Sequence, residues 1–271
     1  MFTHHPARQG LRIGVATLLL AAALAGCASQ GRRADAVTTG SVTPGGESTV
    51  ASMSARELEA ATASLGKLYS RNPQDRGTAL RYANILQMSG RVDQSLAVMR
   101  KLAIAYPEDR EVLAAYGKAL AAAGELEPAL DAVRRAQTPE YPDWRLLSAE
   151  GAILDQLGEP EQARALYRRA LDLQPDEPSV LSNLGMSYVL TGDLKKAEEH
   201  MRQAAAVPGA DSRVRQNLAL VVGLQGRFAE AEKIARRELS PAQAEANVAY
   251  LRAMLAQGDS WAQIAREDGG A

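Results

Sequence analysis

The chain has little of the side-chain chemistry that most enzymes and metal proteins use. Its 271 residues include one cysteine and three histidines, which excludes an intrachain disulfide and argues against a Cys/His metal site. His4 and His5 stand at the start, so His200, in the charged stretch KKAEEH, is the one histidine in the rest of the chain. We expect His200 to be solvated and not catalytic. There is also no Gly-rich phosphate loop and no GxSxG motif, so we predict no enzyme activity, metal, cofactor or small-molecule substrate.

Aromatic residues and blocks of like charge are also scarce. Aromatics make up 4% of the chain, while Lys+Arg (31) and Asp+Glu (32) nearly cancel. No Lys/Arg-rich block is present that could follow a phosphate backbone, so nucleic acid is not an expected partner. The abundance of alanine favours closely packed helices over a sheet sandwich.

The N-terminus has the layout of an export signal. Arg8 and Arg12 precede an apolar stretch that runs from Ile13 to Ala25. This stretch is shorter than the roughly 20 residues that a membrane-spanning helix needs, so we expect residues 1–26 to be removed after export.

The single cysteine follows this signal directly. Leu24, Ala25 and Gly26 before Cys27 resemble the bacterial lipobox, which implies that Cys27 is acylated and becomes the mature N-terminus. Two or three acyl chains would make the attachment effectively permanent. In bacterial lipoproteins a residue other than Asp after the cysteine, here Ala28, implies the outer membrane, with the protein facing the periplasm. The alternative is an ordinary soluble export signal in which Cys27 is incidental.

Residues 27–53 are rich in Gly, Ser and Thr and show no apolar periodicity. We predict a flexible tether, whose r.m.s. span would be about 25 to 30 Å.

The rest of the chain shows a regular internal repeat. Glycine recurs at a constant spacing at five places, 90, 124, 158, 192 and 226. If each is numbered position 15 of a repeat, position 8 holds only small residues: Ala83, Gly117, Gly151, Gly185 and Ala219. Position 20 is equally small: Ser95, Ala129, Ala163, Ala197 and Ala231. Glycine at position 15 allows the positive φ that ends a helix, and small residues at positions 8 and 20 allow two helices to cross closely.

These columns and their spacing resemble the tetratricopeptide repeat (TPR) family, which has the same period. The resemblance implies an all-α fold, a right-handed superhelical solenoid of antiparallel helix pairs. We predict a capping half-repeat at 54–75 and a C-terminal capping helix and tail at 246–271, with the helix Ala246 to Gln257 ended by Gly258. Five full units are predicted between them, at 76–109, 110–143, 144–177, 178–211 and 212–245.

The TPR resemblance also implies where a ligand binds. In the family, the first helices line the concave face, and positions 2, 5, 6, 9, 12 and 13 commonly meet a peptide. The predicted binding residues are Lys118, Arg145, Asn183, Met186, Val189, Leu190, Arg213, Gln216, Asn217, Leu220 and Leu224. Asn84, Met88 and Asp155 occupy the same columns.

Two alternatives remain open for these residues. Val189, Leu190 and Leu224 could pack against the C-terminal helix, and Asn183 and Asn217 could bond only to neighbouring backbone.

The segment Ser212 to Ala235, with the lipobox and the terminal ANVAYLRAML, resembles the TPR lipoproteins of the tight-adherence (Flp/Tad) pilus assembly system. The resemblance implies an outer-membrane scaffold that assists secretin assembly or localisation. Its partners would be a protein or peptide segment of the pilus secretion machinery, such as the secretin, and the membrane through the N-terminal lipid. The alternatives are an adaptor for a cell-wall enzyme complex and a type IV pilus pilotin.

Overall fold

A computed structural model describes residues 53–268 apart from 139 and 141, and for residues 258–268 it describes the backbone alone. The predicted export signal, the lipobox with Cys27, and the tether up to residue 52 lie outside the described residues. Twelve α-helices make up the regular structure of the described part of the chain, which confirms the all-α prediction. They are α1 (Ala55–Arg71), α2 (Arg76–Met88), α3 (Val92–Ala105), α4 (Arg110–Ala122), α5 (Leu126–Ala136), α6 (Trp144–Gln156), α7 (Pro160–Leu173), α8 (Pro178–Leu190), α9 (Leu194–Ala206), α10 (Ser212–Leu224), α11 (Phe228–Ala235) and α12 (Pro241–Asp268).

The helices pair into hairpins, and α2, α4, α6, α8 and α10 each begin on position 1 of a predicted unit. The glycine at position 15 follows each of these first helices with a φ between 71° and 83°, as predicted from the sequence. The backbone amide of the residue after this glycine donates to a carbonyl oxygen in the last turn of the helix. In the second unit, for example, the Glu125 amide donates to the Leu120 carbonyl oxygen at 2.9 Å. Glycine adopts this left-handed conformation without the strain that a Cβ would add.

An acidic side chain caps the N-terminus of every first helix. In the second unit, for example, an Asp109 carboxylate oxygen accepts the Val112 amide at 3.0 Å. Such a cap satisfies an otherwise free backbone donor and places negative charge at the positive end of the helix dipole. The capping residues recur with the same period as the glycines: Asp75, Asp109, Asp143, Glu177 and Asp211.

The two helices of each hairpin cross at position 8, as the small residues there predicted. A Cβ added to Gly117 would lie 3.2 Å from the carbonyl oxygen of Ala129 at position 20, and 2.5 Å from Val133 Cγ2. The same added atom at Gly151 would lie 2.7 Å from the ring of Tyr167. The side chain at position 24 therefore fills the space that position 8 leaves, a partner that the sequence analysis did not identify.

Successive hairpins stack so that each first helix contacts the first helix of the next unit, from α2 through α10. Two large hydrophobic clusters result, one around the first and second units and one from the third unit to α12. The first helices thus form a continuous row, which is the row on which the predicted binding residues lie.

The C-terminal end differs from the prediction at Gly258 and at the boundary near 245. The helix does not end at Gly258 but continues through it to Asp268, and it begins at Pro241, inside the predicted fifth unit. The preceding helix α11 is correspondingly short, at 8 residues.

Local capping explains why α12 begins early. The backbone N–H of Gln243 donates to Ser240 Oγ at 3.4 Å, and the backbone N–H of Ser240 donates to Gln243 Oε1 at 3.1 Å. This reciprocal capping box, with Pro241 at the first helical position, starts a helix strongly. Glycine inside a helix costs only about 1 kcal/mol relative to alanine, so Gly258 alone does not end it.

Candidate functional site

The candidate site is the row of side chains at positions 2, 5, 6, 9, 12 and 13 of the first helices, here called the first-helix face. All eleven binding residues predicted from the sequence belong to it. They differ in exposure: Lys118, Arg145 and Arg213 are exposed, and the other eight are half-buried. The face is therefore partly a packing surface and partly open to solvent.

Two asparagines join neighbouring units across this face. Asn183 Nδ2 donates to Ser148 Oγ at 3.1 Å, and Asn217 Nδ2 donates to Ser182 Oγ at 3.1 Å. Both serines are buried, so each amide is fixed at the boundary between two units. These partners are side chains of the preceding unit, not the neighbouring backbone that one alternative proposed.

This pair of asparagines, here called the asparagine ladder, leaves hydrogen-bonding capacity unused. An amide side chain offers two N–H donors and a carbonyl acceptor. Within the described residues each of the two asparagines uses a single donor. The remaining groups are those that can pair with the backbone of a bound peptide. The sequence already contained the underlying pattern, a serine at position 5 followed by an asparagine at position 6 of the next unit.

Apolar side chains surround the ladder at the C-terminal end of the face. Met186 and Val189 pack against the hydrophobic cluster that includes Val248 of α12. Both side chains therefore contribute to the packing of the later units, and the contact of Val189 with the C-terminal helix stays a prediction. Leu190, Leu220 and Leu224 are half-buried, so part of their apolar surface remains accessible.

Positive charge lies at positions 2 and 9. Lys118 is exposed, and the Arg145 guanidinium stands 4.5 Å over the ring of Trp144. Arg213 pairs with Asp211 at 3.1 Å, and Gln216 donates to Ser212 Oγ at 2.9 Å on its own helix. Lys118 and Arg145 are thus the face residues best placed to meet an acidic group.

Asp155, at position 12, uses its carboxylate for hydrogen bonds within the chain. Its carboxylate accepts hydrogen bonds from Ser187 Oγ at 2.7 Å and from the Tyr167 hydroxyl at 2.9 Å. Burial raises the pKa of Asp155, and burial together with this carboxylate raises the pKa of Tyr167. Asp155 therefore belongs to the packing of the third and fourth units.

The prediction that His200 is solvated holds only in part, because the side chain is half-buried. Its ring stacks on Tyr188 with centroids 5.5 Å apart and planes 12° apart, and its Nδ1 is buried without a hydrogen-bond partner in the described structure. Burial lowers the pKa of His200, while Glu199 opposes this effect and Arg168 adds to it. Tyr188 at position 11 supplies the platform, a contact that a single sequence gives no means of locating.

The described residues include no group of three or more His, Cys, Asp or Glu side chains arranged to hold a metal ion. Among the described helices, none is long and apolar enough to cross a bilayer. Cys27, Leu24, Ala25 and Gly26 lie outside the described range, so the lipid site stays a prediction.

Stacked helical hairpins with a continuous row of first helices define a class of protein, the helical-repeat scaffold that binds other proteins along an extended surface. Tetratricopeptide-repeat family models match residues 52–119 and 149–211. Over these two segments the chain is similar to the TPR family, and its paired helices have the TPR fold that the repeat period predicted.

Several solved structures share the fold. A thermophilic TPR protein from Thermus thermophilus has a TM-score of 0.57 and 23% identity, with 65% of this chain and 97% of that chain covered. PilW, a widely conserved type IV pilus biogenesis factor, has a TM-score of 0.56 and 21% identity, covering 74% of this chain and 91% of PilW. PilF of Pseudomonas aeruginosa has a TM-score of 0.51 and 19% identity, covering 71% and 90%.

At these identities the likeness shows the fold alone. No curated protein gives a significant sequence match.

Proposed function

We propose that this chain is a lipid-anchored scaffold of pilus assembly that holds an extended segment of a secretion subunit on its first-helix face. The role would be like that of TadD, the TPR lipoprotein of the tight-adherence (Flp/Tad) system, with the secretin as the partner and the outer membrane as the location. The sequence resemblance of Ser212 to Ala235 supports the system, and the lipobox at Leu24 to Cys27 supports the anchor.

The asparagine ladder is the observation that carries the binding part of the proposal. Asn183 and Asn217 are fixed one repeat apart by buried serines, so their side chains lose little conformational freedom when they bind a ligand. Amide groups in register pair with successive parts of an extended backbone, while Leu220 and Leu224 beside them can bury apolar side chains of the partner.

The lipid anchor would raise the local concentration of the scaffold beside a membrane-embedded partner. Tethering makes the second contact effectively intramolecular, so modest intrinsic affinity is sufficient. The proposed mechanism is therefore stoichiometric and mechanical, with no chemical step.

A second candidate is the role of a type IV pilus pilotin. It is suggested by one fold neighbour, PilW, which is a type IV pilus biogenesis factor. An adaptor for a cell-wall enzyme complex would use the same anchor and face. The identity of the subunit that co-purifies from cells with a native pilus system separates these roles.

The test compares two exposed cations on opposite sides of the hairpins. Lys118→Glu reverses charge on the first-helix face, and Arg169→Glu makes the same change at position 26 of a second helix. We expect Lys118→Glu to reduce co-purification of the secretion subunit at least about tenfold, since a like charge would oppose an acidic ligand. Arg169→Glu should leave co-purification unchanged.

Leu220→Glu changes an apolar residue at the C-terminal end of the first-helix face and is tested in the same assay. Its helical content is compared with that of the parent chain to check that it folds. Equal co-purification by the parent, Lys118→Glu and Leu220→Glu chains would contradict the proposal.

A further inference from the structure

The first helix of the array, α1, has a face that no helix covers within the described residues. Its register is that of a second helix, with Ala61 at position 20, Leu65 at position 24 and Leu68 at position 27. Leu68 is 46% exposed, and Ala61 and Leu65 are half-buried. The adjacent side of α1 packs on α2, where the Tyr69 and Tyr82 rings lie 5.3 Å apart.

The equivalent positions are buried in the full units. Position 20 is at most 2% exposed and position 24 at most 5% exposed in all five units. Their cover is the first helix of the same unit, as the close approach of Gly117 to Val133 and of Gly151 to Tyr167 shows. Helix α1 therefore exposes the face that a second helix buries against the first helix of its own unit in the full repeats.

The chain's own sequence disfavours the missing half. Pro44, Gly45 and Gly46 occupy positions 3 to 5 of the incomplete unit. Proline inside the first turns and consecutive glycines both oppose a packed first helix. Since residues 27–53 are predicted to be a tether, we look for the cover in another helix with a small residue at the crossing.

The opposite end of the array carries such a helix. Helix α12 stacks on α10 and α11, as each first helix stacks on the preceding unit. Its Val248, at position 3, and Leu251 are buried, with Leu251 against Gly223. In this register Ala249 is at position 4 and Ala253 at position 8, and both are exposed. Position 8 is buried in all five full units, so α12 resembles a first helix without its second helix.

We propose that two copies of this chain associate head to tail, with α12 of one copy docking on α1 of the next to complete a TPR hairpin between them. Ala253 of one copy would cross Ala61 and Leu65 of the other, and Ala249 would lie near Leu68.

The first unit provides the precedent for this pairing within the chain. There Ala79 and Ala83 at positions 4 and 8 share one core cluster with Met99 and Leu102 at positions 24 and 27. The proposed contact repeats that combination, alanines from the first helix against large aliphatic side chains from the second. Because the two faces differ, the contact is heterologous, and it extends into longer assemblies unless one end is blocked.

Two end-blocking variants test this arrangement on the purified full chain by sedimentation velocity. Leu68→Glu blocks the α1 end and Ala253→Glu blocks the α12 end, because each buries an unpaired carboxylate in the contact. Both positions are exposed in the single chain, so circular dichroism should show an unchanged fold. Lys101→Glu, on the outer surface of α3, is the control.

The parent chain and the control should form assemblies that grow with concentration. Each blocked variant alone should be monomeric, with the association constant reduced at least about tenfold. An equal mixture of the two variants should give dimers and nothing larger, since one copy offers an intact α12 and the other an intact α1.

Three results would overturn the proposal. A parent chain that stays monomeric up to about 1 mM would mean that another protein or the chain's own N-terminal residues cover α1. Association that survives in Ala253→Glu but not in Leu68→Glu would indicate a symmetric α1 contact. Association that persists in both single variants would place the contact elsewhere.

Discussion

At the scale of single residues, the hairpin crossings show how an absent side chain positions a helix pair. Gly151 leaves a space that the Tyr167 ring fills, and the Tyr167 hydroxyl then reaches Asp155 at 2.9 Å. Tyr167 is 1% exposed, so any displacement of the ring must be taken up within the core.

Gly151→Ala should therefore destabilise the chain. The added Cβ would lie 2.7 Å from the Tyr167 ring, and overpacking of this kind costs about 1–3 kcal/mol. Gly77→Ala is the control, because the nearest side-chain atom to its added Cβ is the flexible Arg81 Nη1 at 3.4 Å. Chemical denaturation should show a lower unfolding midpoint for Gly151→Ala only, and equal midpoints would show that the crossing adjusts freely.

The stability of the folded chain should depend on pH through His200, and the direction of this dependence follows from the burial of its ring. Its pKa is lowered from 6.5 in the folded chain, so the unfolded chain takes up the proton first as the pH falls. The stability that His200 contributes is then complete above about pH 6.5 and is lost as the pH falls towards the folded-state pKa.

His200→Phe keeps a ring against Tyr188 but removes this titration. We expect the parent chain to lose thermal stability between about pH 7 and pH 5.5, and the variant to lose less. An identical loss in both chains would mean that His200 is not the responsible group.

The sequence predicted the small residues at these crossings but not what they touch. A fixed repeat period reveals which positions are equivalent, so Gly117 and Gly151 stand out. The partners Val133, Tyr167 and Met201 differ in size and chemistry, and no common residue type marks position 24. Likewise, the stacking of His200 depends on a tyrosine in another helix, which spacing alone does not reveal.

At the scale of helices, one charge network joins the fourth and fifth units. The Glu198 carboxylate accepts from Arg202 and from Arg227, each at 2.6 Å, and from Gln225 at 2.7 Å. Glu230 pairs with the same two arginines. Burial by itself would raise the pKa of Glu198, but the hydrogen bonds from these three side chains together hold it below its usual value.

Removing Glu198 should loosen the contact between α9 and the fifth unit. Glu198→Ala leaves two arginines without their shared partner, whereas the neighbouring Glu199→Ala removes an exposed carboxylate. Hydrogen exchange should become faster in α10 and α11 for Glu198→Ala alone, and about 1 M salt should reduce the difference between the variants. Unchanged exchange in both variants would contradict a bridging role.

The ends of helices could be predicted where the same sequence signal recurs in every repeat. The prediction failed where no repeated signal marks the end. Glycine at position 15 recurs in every full unit, and every first helix ends as expected. Gly258 has no repeat equivalent, and a capping box at Ser240 started α12 ahead of the periodic boundary. The repeat columns predicted which residues share the first-helix face, but the asparagine ladder depends on the distance between adjacent units, which the sequence does not give.

At the scale of the whole molecule, the proposed lipid on Cys27 would tether the folded scaffold to a membrane. Cys27→Ser removes the thiol that would carry the acyl chains, so the chain should move from the membrane fraction to the soluble periplasmic fraction. Ala28→Ser, next to the lipobox, is the control and should stay with membranes. Equal membrane association of the parent and Cys27→Ser chains would contradict lipid anchoring.

The most direct measurement of the central claim is photo-crosslinking in cells from two matched columns of the repeat. One column is position 9 on the first-helix face: Asn84, Lys118, Ala152, Met186 and Leu220. The other is position 26, exposed on the second helices at Lys101, Arg135, Arg169 and Gln203, and in the turn after α11 at Arg237. The account predicts that one pilus secretion subunit is captured from position 9, most strongly at Met186 and Leu220, and not from position 26. Capture of that subunit from position 26 instead, or equally from both columns, would contradict binding on the first-helix face.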